Sequence, residues 1–270
     1  VVSVVAPVGL DHTDMLGDTL AEIATEKAGI IKPDGYLISA AQDPEVATIL
    51  LDTARKQNAK YAFEGVEFGV VERDRAVGGQ LLTLRGLAGE YPEIELPLHG
   101  EHQGQNASLA LAAVEAFFGG DRALARDVVL AGFAQVRSPG RLEMIRSEPL
   151  VVLDAAHNPH GVRAASTAFK EAFELSHVHA VVGILGEKDA LGIFEVLREE
   201  YVDSTDATFR LYLSASDSSR AIAPEELQEI ALDAGFDEDI ITVCDHLDEA
   251  LATAMENALF EQESAGVLVT

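Results

Sequence analysis

The sequence predicts an α/β protein in two parts, the second of them a doubly wound parallel sheet. Three observations lead there. Beyond RSPGR (137–141), five apolar strands alternate with helical stretches: VVLDA, HAVVGIL, FRLYLSA, DIITVCD and GVLVT, with helices expected near 161–174, 190–200, 224–234 and 247–262. Before RSPGR, two strand–helix units give way to short apolar runs divided by Gly, Asp and Arg, the style of an antiparallel addition. At 270 residues the chain is long enough for two cores. The expected domains are 1–138 and 139–270.

Taken in order, VVSVVAP reads as a buried strand ended by Pro7. A helix is expected from about Asp18, its candidate N-cap, to Ala28, with Gly29 as the stop. GYLISAA (35–41) is a second strand, Asp43-Pro44 opens a helix through Lys56, and YAFEG forms a third strand. FGVVE, QLLTL and EIELPL make the antiparallel part, followed by helices near 103–118 and 121–133. The strand at the very first residue and the halt at GVLVT give the expectation of a piece of a longer protein.

Charge narrows the function. Nineteen basic residues face 46 acidic ones, a formal net charge of −27, and such a surface repels nucleic acid and anionic lipid. Any anionic ligand must find local cations. One cysteine, Cys244, excludes a disulfide scaffold and suits a reducing compartment. No apolar run reaches the ~18–20 residues of a membrane helix, and VVSVVAP lacks a signal peptide's basic start. A cytoplasmic protein is expected. Dinucleotide (G-x-G-x-x-G), phosphate-loop (G-x-x-x-x-G-K-[ST]), zinc and G-x-S-x-G signatures are all missing.

Six residues stand where chemistry could gather. His12 follows the first strand, at the edge where open α/β sheets collect ligands. Lys27 falls on the same helical stripe as Leu20 and Ile23; it could equally sit in the last turn, complement the helix dipole and snorkel outward. Asn106 lies near a helix start, where it could read a base edge or satisfy the helix terminus. Arg141 stands at the domain junction, fit for a phosphate clamp or an ordinary salt bridge. In VVLDAAHNPHG a strand runs into Asp154, then His157 and Asn158; Asp154 and Asn158 could also simply cap the next helix. GEKDA, after the following strand, adds Lys188 to that edge.

Four blocks in order, GLDHTDMLG, TEKAGIIKP, HGEHQGQNA, and SPGRLE with LDAAHNPHG, resemble the Mur ligase superfamily, specifically its folylpolyglutamate synthase / dihydrofolate synthase branch. The resemblance implies the later part of a central ATPase domain, truncated, followed by a Rossmann-like C-terminal domain. It also implies ATP-dependent ligation of L-glutamate to dihydropteroate or a reduced folate through an acyl phosphate, with Mg2+ and ATP. By resemblance, His12 would ligate magnesium and Lys27, carbamylated, would supply an oxygen ligand. Asn106 would meet adenine, Arg141 the phosphates and Asp154 the nucleotide, with His157 near the reacting end. The family's phosphate loop lies upstream of GLDH, so the chain is expected to be an inactive fragment, and a monomer. The alternatives are another Mur-type ligase, acting on peptidoglycan or cyanophycin, and a non-catalytic binding protein on the same scaffold.

Overall fold

The computed structural model describes residues 1–9, 17–261 and 264–270. They form two compact units, Val1–Arg137 and Ser138–Thr270. The first is built around a parallel sheet of β1 (Val2–Val5), β2 (Tyr36–Ser39) and β3 (Lys60–Phe63), in that order. Helices α1 (Leu20–Ala28) and α2 (Pro44–Lys56) bury Ala24, Leu50 and Ala54 with Leu37 against one face. Helix α3 (Glu101–Phe117) covers the other with Leu109, Ala112 and Ala116, against Ile38 and Ala62.

The same α3 also packs on a second, antiparallel sheet of β4 (Gly69–Ala76), β5 (Gly79–Arg85) and β6 (Glu90–Leu96). Ala107 and Leu111 meet Leu82, Leu84 and Ile94, beside Val129 of α4 (Arg126–Ala134). A helix with apolar neighbours on two sides cannot show one polar and one apolar face, which explains the Ala-rich run ASLALAA. Its buried Glu115 accepts from the Leu87 and Ala88 N–H groups and, at 2.6 Å, from the Tyr91 hydroxyl. Tyr91 in turn accepts from Leu124 N–H at 2.7 Å. Burial and the Glu115 bond push the Tyr91 phenol up to about 12.

The second unit is a six-stranded sheet in the order β11-β10-β9-β12-β8-β7. Its strands are β7 (Glu143–Ser147), β8 (Leu150–Leu153), β9 (His177–Val182), β10 (Thr208–Leu213), β11 (Ile241–Val243) and β12 (Ala265–Val269). All neighbours pair in parallel except β7, antiparallel on β8. Alternation divides the side chains between two faces. Val152, Ala180, Leu211 and Leu268 meet α5 (Pro159–Ala172), α6 (Ala190–Arg198) and α7 (Pro224–Asp233). Val151, Val181, Tyr212 and Val267 meet α8 (Leu247–Phe260). Strands β8 to β11 advance across the sheet with their helices on one face, and the return to β12 carries α8 over the other, as right-handed crossovers require.

Several local expectations are corrected. The N-cap of α1 is Thr19, not Asp18: its hydroxyl accepts from Glu22 N–H at 3.2 Å, while the Glu22 carboxylate accepts from Thr19 N–H at 3.1 Å. That reciprocal pair is a capping box, visible in the sequence as T-L-A-E. Strand β1 is only half buried, since Val4 is 43% exposed while Val5 is 3%. Helix α4 begins at Arg126, because residue 124 is held by the Tyr91 hydroxyl. Strand β7 was not expected; all five of its residues are exposed and show no apolar alternation.

Candidate active site

In the second unit the parallel strands end along one edge, and the segments there carry three of the six expected site residues, Arg141, Asp154 and His157. The register Glu143↔Leu153 places residues 140–142 at the carboxyl end of β8. Strand β8 delivers Asp154, which is 5% exposed and fixed through both carboxylate oxygens. Oδ2 accepts from Leu142 N–H at 2.9 Å and Oδ1 from Ala156 N–H at 2.8 Å. The expected helix-capping role belongs to Asn158 alone, whose Oδ1 accepts from Gly161 N–H at 2.7 Å.

His157, between them, is exposed, and its Nδ1 lies 3.1 Å from the Ala155 carbonyl. A carbonyl only accepts, so Nδ1 is the donor in this contact, and in the neutral ring the lone pair lies on Nε2. After β9, Asp189 caps α6 by accepting from Gly192 N–H at 3.0 Å. A Cβ on Gly192 would lie 2.8 Å from Pro159 Cγ, so glycine lets the starts of α5 and α6 approach. Lys188 lies half-buried in the loop just before that cap, which Gly186 N–H ties to the Arg220 carbonyl at 2.8 Å. Neighbouring Glu187 is paired with Arg220 at 2.7 Å.

Arg141 has an exposed side chain on a pinned backbone. Ala155 N–H donates to the Gly140 carbonyl at 2.7 Å, and Gly140 N–H to the Glu143 carboxylate at 2.9 Å. On the other side, Leu142 is 4% exposed, joins the core and holds a positive φ of 44°.

In the first unit, Lys27 is exposed in the last turn of α1 although Ile23, Ala24 and Ala28 around it are buried. Asn106 is exposed on α3, its amide donating to Gln103 Oε1 at 3.3 Å. His12 lies outside the described residues. The chain entering that stretch is held by Gln42, whose Oε1 accepts from Val8 N–H and whose Nε2 donates to the Ala6 carbonyl, each at 2.9 Å. Sequence reading gave Gln42 no role, and a single amide after a strand carries no motif. At the same sheet edge, a cavity of about 520 Å³ is lined by Ala41, Glu64, Arg73, Arg85 and Gln105. A larger one, about 790 Å³, lies at the amino ends of β9 and β10 beside His177 and Thr208, the opposite end of the second sheet from Asp154.

Comparison with known proteins decides the lineage. Residues 140–270 match the model of the Mur ligase, glutamate ligase domain. The dihydrofolate synthase/folylpolyglutamate synthase of Mycobacterium tuberculosis is 42% identical over 278 residues, covering 98% of this chain and 55% of the relative. The chain belongs to the folylpolyglutamate synthase / dihydrofolate synthase family. A crystal structure of M. tuberculosis folylpolyglutamate synthase complexed with ADP and AMPPCP superposes with a TM-score of 0.91 at 40% identity, covering 100% of this chain and 60% of that one. Escherichia coli FolC in complex with DHPP and ADP gives 0.79 at 26% identity, covering 99% and 57%. The chain thus spans about half the length of the curated relatives it matches. No helix among the described residues is long and apolar enough to cross a membrane.

Proposed function

We propose that the chain is part of an ATP-dependent ligase that joins L-glutamate to dihydropteroate or a reduced folate. The observation that carries this reading is the 42% identity across 98% of the chain to a dihydrofolate synthase/folylpolyglutamate synthase. The nucleotide complexes of its structural relatives support ATP as the co-substrate. In this chemistry the acceptor's carboxylate oxygen attacks the γ-phosphorus of ATP, ADP leaves, and an acyl phosphate forms. The glutamate amine then adds to the acyl carbon, loses its proton, and expels phosphate as the amide bond closes. Such steps depend mainly on positioning and on neutralising phosphoryl charge.

Among this chain's residues, Arg141 offers an exposed guanidinium for phosphate, Lys188 adds a second cation at the same sheet edge, and His157 presents Nε2 as a proton acceptor. The portion within 1–138 is read as belonging to the central ATP-binding domain, with Asn106 toward adenine. Magnesium held by His12 and carbamylated Lys27 is part of the same proposal. Among the described residues no group of three His, Cys, Asp or Glu is placed to hold a metal, and His12 lies outside them. A monomeric, cytoplasmic enzyme completes the reading.

The test is glutamate-dependent ADP release by the full-length protein that contains this chain, supplied in turn with dihydropteroate, tetrahydrofolate and a UDP-muramyl acceptor. Turnover with either pterin substrate is expected, and turnover with the muramyl acceptor alone would overturn the proposal.

A further inference from the structure

We infer that Gln80 is a positioning residue for the adenine end of the site: from the antiparallel sheet it fixes the start of α3 and, through it, Asn106. The inference rests on the proposed reading of Asn106 as a contact to adenine. Gln80 lies on the face of β5 that also carries Leu82 and Leu84 toward α3, and it is 3% exposed. An amide in such a place is costly unless its polar atoms are bonded. Gln80 meets that condition. Its Nε2 donates both hydrogens, to the Leu98 carbonyl at 2.9 Å and the Gly100 carbonyl at 3.0 Å, and its Oε1 accepts from Arg73 Nε at 2.7 Å.

Both carbonyls stand at the entry to α3, which has no side-chain cap and begins from Gly100 at φ 95°, so the entry is pinned from another element instead. The Gly100 carbonyl also accepts from Gln103 N–H at 3.0 Å, and Gln103 Oε1 accepts from Asn106 Nδ2 at 3.3 Å. A chain of bonds thus runs from Arg73 through Gln80, Gly100 and Gln103 to Asn106. Asn106 is exposed, so packing does not direct its amide, whereas the bond to Gln103 does. With Nδ2 turned to Gln103, Oδ1 is left as an acceptor for a donor such as the 6-amino group of adenine. Further along, the helix is held independently. Ala107 and Leu111 pack on Leu82, Leu84 and Ile94, and Ser108 Oγ donates to Glu64 Oε1 at 3.0 Å. Loss of the Gln80 bonds therefore loosens the first turn and the direction of Asn106, not the whole helix.

The experiment uses the full-length protein that contains this chain and follows glutamate-dependent nucleoside diphosphate release. ATP is compared with inosine triphosphate, whose base carries a carbonyl in place of the 6-amino group. Asn106→Ala sets the scale: loss of the adenine contact should cut the preference for ATP in kcat/KM about tenfold. Gln80→Met keeps the side-chain length and removes all three bonds, while Gln80→Glu keeps the acceptor for Arg73 and removes the donors. Each is expected to lower the ATP preference about fivefold through a raised KM for ATP, with the KM for glutamate unchanged. Arg73→Lys, which leaves the buried amide in place, should give a smaller loss of the same kind. The Gln80→Met/Asn106→Ala double variant should be no worse than Asn106→Ala. Circular dichroism verifies folding, and if Gln80→Met does not fold, Gln80→Glu and Arg73→Lys decide. A role in stability alone would lower the rates with both nucleotides alike. An unchanged preference in the folded Gln80 variants, or losses that add in the double variant, would overturn the inference while leaving the reading of Asn106 in place. If Asn106→Ala itself keeps the full ATP preference, the adenine reading fails, and the inference with it.

Discussion

His179 makes the stability of the second unit depend on pH in a way that can be worked out from its surroundings. The side chain is 1% exposed on β9, its Nδ1 3.0 Å from the Tyr212 hydroxyl, which accepts from Asn257 Nδ2 at 2.8 Å. A phenol that accepts from Asn257 has its own proton to give, so Nδ1 is the acceptor and the ring is neutral. Burial holds the imidazole down at about 4, from an ordinary 6.5, against the attraction of Glu261 and with help from Arg210 and His177. The folded state therefore binds fewer protons than the unfolded one between those values. Stability is full above 6.5 and falls as pH drops toward 4, where the loss levels off. From pH 7 to pH 5 this single group removes about 2 kcal/mol. Urea unfolding at the two pH values, followed by circular dichroism because the chain has no tryptophan, measures the loss. His179→Gln keeps a hydrogen-bond acceptor but cannot titrate, so it should lack that increment, whereas contributions such as that of His99, also lowered by burial, cancel in the comparison. An equal loss in both proteins would refute the assignment.

Three further substitutions probe other parts of the fold. Tyr91→Phe leaves a buried Glu115 oxygen and Leu124 N–H without their partner and should destabilise the first unit by about 1–3 kcal/mol in urea titrations. Asn158→Ala removes the α5 cap and should cost about 1 kcal/mol, with faster amide exchange at Gly161 as its local signature. Gln42→Leu keeps the size of the side chain but no polar atom; amide exchange at Val8 should rise while the β2 amides stay protected. Unchanged exchange at Val8 would mean that the Gln42 bond does not hold that segment.

The second unit was largely legible because its strands are buried on both faces and read as unbroken apolar runs between helical periods. Strand β7 escaped for the opposite reason: as an exposed edge strand it has no face that demands apolar residues. The α1 cap was missed at Asp18 although T-L-A-E stood beside it, because two adjacent residues were competent caps; Glu22 accepts from the N–H of both, and the Thr19 hydroxyl, accepting from Glu22 N–H, marks the cap. Lys27 tested a different limit. Helical spacing put it on the buried stripe, and the stripe does contain Ile23, Ala24 and Ala28, but the surface stays open at the final turn. Periodicity reports direction from the helix axis, not what covers the far end. Asp154 shows a third limit: its position at a strand exit was plain, whereas its partners, a residue 12 positions earlier and one 2 positions later, depend on the turn made by SPGRL.

The strong negative charge of the chain bears on the proposed binding of ATP. A net charge of −27 opposes a nucleotide polyphosphate at long range, but salt screens exposed charges beyond about 8–10 Å, so the groups within that radius decide binding. Arg126, Arg163, Arg198 and Arg220 are each committed to a carboxylate at 3.0 Å or less. Their charge is neutralised locally and contributes little to a distant anion. At the Asp154 edge the arrangement is reversed. There the carboxylates of Asp154, Glu143 and Asp189 are bonded to backbone N–H groups rather than to cations, while Glu187 is matched by Arg220. Arg141 is exposed, and Lys188 is half-buried nearby in the chain from Asp189. Acidic side chains at this edge thus shape the backbone, and their charge is partly satisfied by its dipoles. That division of labour leaves Arg141 exposed, with no carboxylate ion-paired to it among the described contacts, an arrangement that would suit the phosphate contact proposed above.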